Sequence, residues 1–138
     1  MEINLNGLGD FKIDVISPRN DKFTIDASKD IGGGEDGFRP MELILAGLAG
    51  CSSFDVIHIL KKGRANIEAF DVKVTAKRRD EIPKVFTDIH VHFAVKGDFS
   101  EDKLKRAIDL SVEKYCSVSA MLEKAANITT SYSFNEEG

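Results

Sequence analysis

Cysteine is scarce in this chain, with only Cys51 and Cys116 among 138 residues. Two thiols are too few for a structural zinc site without help from histidines. They also lack the Cys-x-x-Cys spacing of a general thiol–disulfide reductase. Of the three histidines, His90 and His92 share one face of a strand pattern. No third ligand is implied beside them, so no metal site is expected. Ser52 and Ser53 lack the G-x-S-x-G setting of a hydrolase nucleophile. Nor is there a basic stripe. Lys61-Lys62-Gly63-Arg64 and Lys77-Arg78-Arg79 are short, and a formal net charge of −4 leaves no electrostatic footprint for nucleic acid. Long apolar runs are missing too. Residues 41–49 carry Glu42 and adjoin Gly50, too short and too marked a stretch to span a bilayer. Residues 1–8 alternate around an acidic second residue and have no targeting-signal character. The expectation is therefore a cytoplasmic protein with no membrane association, where a permanent disulfide is unusual. No internal repeat, low-complexity tract or linker interrupts the chain, which reads as a single domain over residues 1–138.

The apolar content of 42% and charged content of 30% are those of an ordinary globular domain. Phe11, Ile13 and Val15 alternate with Lys12, Asp14 and Ile16, and a turn at residues 17–20 leads into residues 22–27, which predicts a hairpin. Residues 31–37 (IGGGEDG) read as a flexible loop. Pro40 suits the first position of a helix. The helix is expected over residues 41–64, with Gly63 and Arg64 as stop signals and a first half so apolar that it should be buried centrally. Phe70, Val72, Val74 and Ala76 form one alternating strand, Val85 to Val95 a second, with Pro83 in the turn between them. Ser100 fits an N-cap before a helix that points Leu104, Ala107, Ile108 and Val112 inward. A break near Cys116, a further helical stretch to about residue 126 and a closing strand over residues 128–134 complete an α+β order.

Cys51 falls mid-helix, one turn after Gly47. Glycine inside a helix costs about 1 kcal/mol against alanine, so residues 46–50 (AGLAG) read as a seam for tight packing. Cys51 is then either one more small residue of that seam or a working thiol. Cys116 precedes a helix start, where the dipole and unpaired N–H groups lower a thiol pKa; Ser117 and Ser119 are alternative caps. Cys51, Asp55 and His58 share a helix face, but His58 lies about 10 Å along the axis from Cys51, too far for a nucleophile–base pair. Glu42 is almost alone among apolar residues. It either complements the helix dipole or pairs with an arginine such as Arg39. Nine residues at 100° each put Glu42 on the opposite side of the helix from Cys51, about 13 Å along the axis. The two can cooperate only if the helix breaks or if they meet across a dimer, and the glycine seam favours the dimer.

Residues 39–56, RPMELILAGLAGCSSFDV, and residues 115–122, YCSVSAML, resemble the signatures of the OsmC/Ohr family. The similarity in layout extends over nearly the whole chain. The resemblance implies an α+β fold with antiparallel sheets around a long central helix bearing the first cysteine, assembled as an intertwined homodimer with active sites at the interface. It implies a thiol peroxidase that reduces organic hydroperoxides in oxidative-stress defence, with no metal and no organic cofactor. Carried onto this chain, Cys51 matches the peroxidatic cysteine and Cys116 the resolving cysteine, and an external dithiol returns their disulfide to the reduced state. The family's arginine and glutamate correspond to Arg39 and Glu42, with Arg19 in the first hairpin turn as the alternative arginine. Met41 stands where many members place the acid directly after proline, and Ser117 where many have Cys-Pro, which resembles a side branch. The alternative the resemblance leaves is a non-catalytic, dimeric small-ligand-binding or stress-associated protein of the same fold.

Overall fold

The alternating residues near the N-terminus do pair. In a computed structural model, which describes residues 1–136, β1 (Asn4–Gly7), β2 (Ile13–Ile16) and β3 (Lys22–Ile25) form an antiparallel sheet in that order. The expected turn joins β2 to β3. The Ser17 hydroxyl accepts the N–H groups of Arg19 (3.2 Å) and Asp21 (3.1 Å), and Asn20 adopts φ of 68°, a left-handed conformation that asparagine tolerates. By its internal contacts the chain divides into two compact units, Met1–Leu45 and the remainder from Ala46.

In the first unit, the loop read as flexible is tied down along β3. Phe38 pairs with Ile25 in a parallel bridge, and Glu35 N–H donates to the Ala27 carbonyl at 3.1 Å. Gly33 and Gly37 make this approach possible, because a Cβ at either would run into the backbone of Ala27 or Thr24. Asp26 organises the loop. Its carboxylate accepts N–H groups from Ala27 (2.7 Å), Gly34 (3.2 Å) and Asp36 (3.1 Å). These bonds, the one from Ala27 foremost, with the nearby Lys12 charge, hold its carboxyl below the usual carboxylate range against the opposing effect of desolvation.

Helix α1 spans Pro40–Lys62 without a break, so of the two alternatives for Glu42 the broken helix does not occur. Arg39 is its N-cap residue and Pro40 its first turn. The Glu42 carboxylate reaches back to the Arg39 N–H at 2.7 Å, which is half of a capping box. The helix ends in a Schellman motif: Ala65 N–H bonds the Leu60 carbonyl (2.9 Å) and Arg64 N–H the Lys61 carbonyl (3.0 Å). Arg64, with φ of 60°, takes the left-handed position, while Gly63 precedes it. Over its most apolar 18 residues α1 has a mean hydropathy of 1.8, enough by length and composition alone to cross a membrane. The expectation of too short a run applied only to residues 41–49. The buried residues of α1 are Leu48, Ser52, Val56 and Leu60, one strip at four-residue spacing. Central burial of its first half is therefore not found within the single chain: Ile44 is exposed, and a Cβ added at Gly47 or Gly50 would meet nothing within 4 Å.

In the second unit, β4 (Asn66–Arg78) and β5 (Phe86–Asp98) pair antiparallel, as the short turn between the two alternating runs predicts. Ile89, Val91, Phe93 and Val95 all face inward and are buried. The final strand, β6 (Asn127–Phe134), lies beside β5 and runs parallel to it, a correction to the expectation of wholly antiparallel sheets. Between them come α2 (Glu101–Leu110), a π turn (Ser111–Tyr115) and α3 (Ser117–Leu122). This crossover is what a parallel pair requires. Leu104, Ala107 and Ile108 are buried on α2, whereas Val112, in the π turn, is only half-buried.

A carboxylate whose native pKa is depressed stabilises the fold above its unfolded value of about 4, and that contribution is lost as pH falls through the native value. Asp26→Asn is therefore expected to lower the melting temperature at pH 7, with the gap to wild type narrowing at pH 3; thermal melts at the two pH values check this.

Candidate active site

The second unit brings the two thiols together. Cys51 sits half-buried on α1, beside Ser52 on the buried strip. Cys116 is 3% exposed and stands at the junction between the π turn and α3. Its N–H closes the π turn on the Ser111 carbonyl at 2.7 Å, and its backbone then becomes extended (φ −73°, ψ 106°). Cys116 is thus itself the N-cap of α3, with Sγ accepting the Ser119 N–H at 3.3 Å; neither Ser117 nor Ser119 fills that role. Cys51 Sγ, Cys116 Sγ and a carboxylate oxygen of Asp55 all lie within 4.8 Å of one another.

Two hydroxyls hold this arrangement. Ser52 Oγ lies 3.5 Å from Cys116 Sγ and donates to the Leu48 carbonyl at 2.8 Å. Ser111 Oγ donates to Asp55 Oδ2 at 3.0 Å. Burial pushes the Cys116 thiol above its ordinary pKa, and the nearby Cys51 adds to the rise. The Ser52 hydroxyl and the Ser119 N–H act in the opposite direction. The lowering expected from a helix start is outweighed here, because α3 is only six residues long and desolvation of the sulfur dominates. The Ser119 hydroxyl is buried and is the one such side-chain atom without a hydrogen-bond partner among the described residues.

Asp55 is the residue whose place sequence reasoning missed. It entered only as a member of a rejected triad, although its position one turn after Cys51 was the available signal. Asp55, His58, Lys62, Arg106 and Tyr115 line an open groove of about 470 Å³, so Asp55 belongs to both the thiol cluster and the groove. Arg39 and Glu42 belong to the first unit. Their meeting is between the Glu42 carboxylate and the Arg39 backbone N–H, while the Arg39 guanidinium donates to the Gly37 carbonyl at 2.9 Å. Arg19 is exposed in the β2–β3 turn and pairs with Asp21 at 3.3 Å. His90 and His92 are engaged across the β5–β6 pair. His90 contacts the Thr129 and Ser131 hydroxyls at 2.7 Å each, and His92 contacts Ser131 at 2.6 Å.

An α+β chain with one thiol on a long helix and a second beside it, offered by a turn some 65 residues later, defines a dithiol protein. The model of the family described as OsmC-like protein matches residues 32–131. The chain belongs to this OsmC-like family. It is 53% identical over 94 residues to Protein YhfA of Escherichia coli K12, a match covering 67% of this chain and 70% of that one. A hypothetical protein from Aquifex aeolicus VF5 superposes with a TM-score of 0.86 at 32% identity, over 99% of this chain and 97% of that one. An organic hydroperoxide resistance protein from Elizabethkingia anophelis shares the fold, with a TM-score of 0.71 at 17% identity over 98% and 97% of the two chains.

Two outcomes follow from the geometry. Mild oxidation with diamide should consume both thiols within one chain, giving a faster-migrating monomer and no dimer band on a non-reducing gel. Ser119→Ala removes an unpartnered buried hydroxyl while keeping the N–H that serves Cys116, and should raise stability by about 1 kcal/mol in denaturant unfolding.

Proposed function

We propose that this protein is a thiol peroxidase that reduces organic hydroperoxides, with Cys51 as the attacking thiol and Cys116 as the resolving one. The observation that carries the reading is the separation of the two sulfurs, under 4.8 Å, with one half-buried and the other enclosed. Membership of a family that includes organic hydroperoxide resistance proteins supports it.

In this reading the Cys51 thiolate attacks the outer oxygen of the hydroperoxide. The O–O bond breaks, an S–O bond forms, and the alcohol leaves after taking up a proton, with Cys51 left as a sulfenic acid. The Cys116 sulfur then attacks the sulfenic sulfur; its proton and the sulfenic hydroxyl depart as water, and the disulfide forms. An external dithiol reduces that disulfide by exchange, which suits a reducing compartment such as the cytoplasm. A thiol kept protonated until it is needed fits Cys116, whose burial favours the neutral form.

The working unit in this reading is a homodimer with the active site shared between chains. The bare seam on α1 supports it: Gly47 and Gly50 face open space, Phe54 is 77% exposed, and Ile44 is exposed one turn before Leu48. A second chain laid on this face would cover apolar area that the single chain leaves in water. It would also be the source of the guanidinium and carboxylate, Arg39 and Glu42, that steady the Cys51 thiolate and the peroxide.

With a reduced protein, an organic hydroperoxide and a dithiol, Cys51→Ser is expected to reduce peroxide loss by at least about a hundredfold. Cys116→Ser should still react once, leaving a sulfenic acid on Cys51 that dimedone traps. Unchanged turnover in Cys51→Ser would sink the peroxidase reading. A purified wild type that consumes no peroxide but carries a bound small molecule would favour the ligand-binding alternative. Light scattering is expected to give twice the chain mass.

A further inference from the structure

Asp55 is the member of the thiol cluster that the peroxide cycle does not use. It lies beside both sulfurs, so three potential anionic donors gather at one point. A divalent cation can take all three as its ligands.

The dimensions fit. Tetrahedral zinc, with bonds of about 2.3 Å to sulfur and about 2.1 Å to oxygen, spaces two sulfurs and a carboxylate oxygen about 3.6–3.8 Å apart. Cys51 Sγ, Cys116 Sγ and the Asp55 oxygen are already within 4.8 Å of one another, so small side-chain rotations close the set. An outer layer is also in place. The Ser111 hydroxyl orients the Asp55 carboxylate at 3.0 Å, the Ser119 N–H donates to Cys116 Sγ at 3.3 Å, and Ser52 Oγ lies 3.5 Å from the same sulfur. Such bonds orient metal ligands and stabilise their anionic forms. The groove that shares Asp55 supplies an approach for the ion. Two sulfurs with one carboxylate select a soft divalent ion over magnesium or calcium.

We propose that Cys51, Cys116 and Asp55 form a binding site for Zn²⁺ or a similarly soft divalent cation, with a fourth position left for water. Binding releases the two thiol protons and forms two S–metal bonds and one O–metal bond, with no change of oxidation state. A Cys51–Cys116 disulfide removes both sulfur donors, so metal occupancy and oxidation exclude each other. The consequence that a bound ion silences peroxide reduction rests on the peroxidase reading; the binding itself does not.

The test titrates metal-stripped, reduced full-length protein with Cd²⁺ under anaerobic conditions, following the sulfur-to-cadmium ultraviolet band, with Zn²⁺ as competitor. One Cd²⁺ per chain is expected, displaced by Zn²⁺, and none after diamide oxidation. Asp55→Asn preserves an acceptor for Ser111, and should weaken binding at least about tenfold while keeping the band. Cys51→Ser should weaken it further and lose much of the band; circular dichroism confirms that each variant is folded. Absence of saturable binding in wild type overturns the proposal, as does an Asp55→Asn affinity equal to wild type. Peroxide turnover without Cd²⁺ binding removes the metal site and leaves the peroxidase reading intact; Cd²⁺ binding without turnover does the reverse.

Discussion

Two buried hydroxyls, Ser52 on α1 and Ser111 at the start of the π turn, decide where Cys116 can sit. Ser52 meets the Cys116 sulfur, and Ser111 bonds the Asp55 carboxylate one turn beyond Cys51. The turn after α2 is therefore fastened to α1 at two points. A regular helix through residues 111–116 would carry Cys116 onward along its own axis. The wider π turn and the extended backbone at Cys116 end that helix instead, and return the sulfur to α1. Wide turns of this kind recur at functional sites because they re-aim one side chain without disturbing the helix before them.

The result is an asymmetric pair. Cys51 keeps partial access to solvent, while Cys116 is enclosed and held by desolvation in its protonated form. An exposed thiol can meet a bulky reagent. An enclosed neighbour can meet only what Cys51 has become, which is the division of labour a two-cysteine cycle requires. Asp55 adds a third donor within 4.8 Å of both sulfurs, and the two proposals for the cluster differ in whether it takes part.

Much of the fold was legible in order along the chain. The β2–β3 hairpin, the start of α1 at Pro40, the alternation of β5 and the interruption at Cys116 all followed from side-chain periodicity and turn chemistry. The direction of β6 was not, because alternation reads the same in either direction; only the intervening crossover of α2 and α3 signals a parallel neighbour. The burial of α1 was misjudged for a related reason. Apolar residues all round a helix state that it should leave water, but not whether its own chain or another does the covering. Here its own chain covers one strip, through Leu48, Ser52, Val56 and Leu60.

The sequence by itself determined the helix that carries Cys51 and the motifs of the family resemblance, because each rests on residues close in the chain. Helical and strand periods, caps and turns are local, and a short segment is enough to express them. Only the tertiary structure decided that Cys116 lies beside Cys51, that Asp55 joins them and that Ser52 and Ser111 hold the three in place. The Ser52 and Ser111 contacts join residues 64 and 56 positions apart, and burial, not spacing, raises the proton affinity of the enclosed thiol.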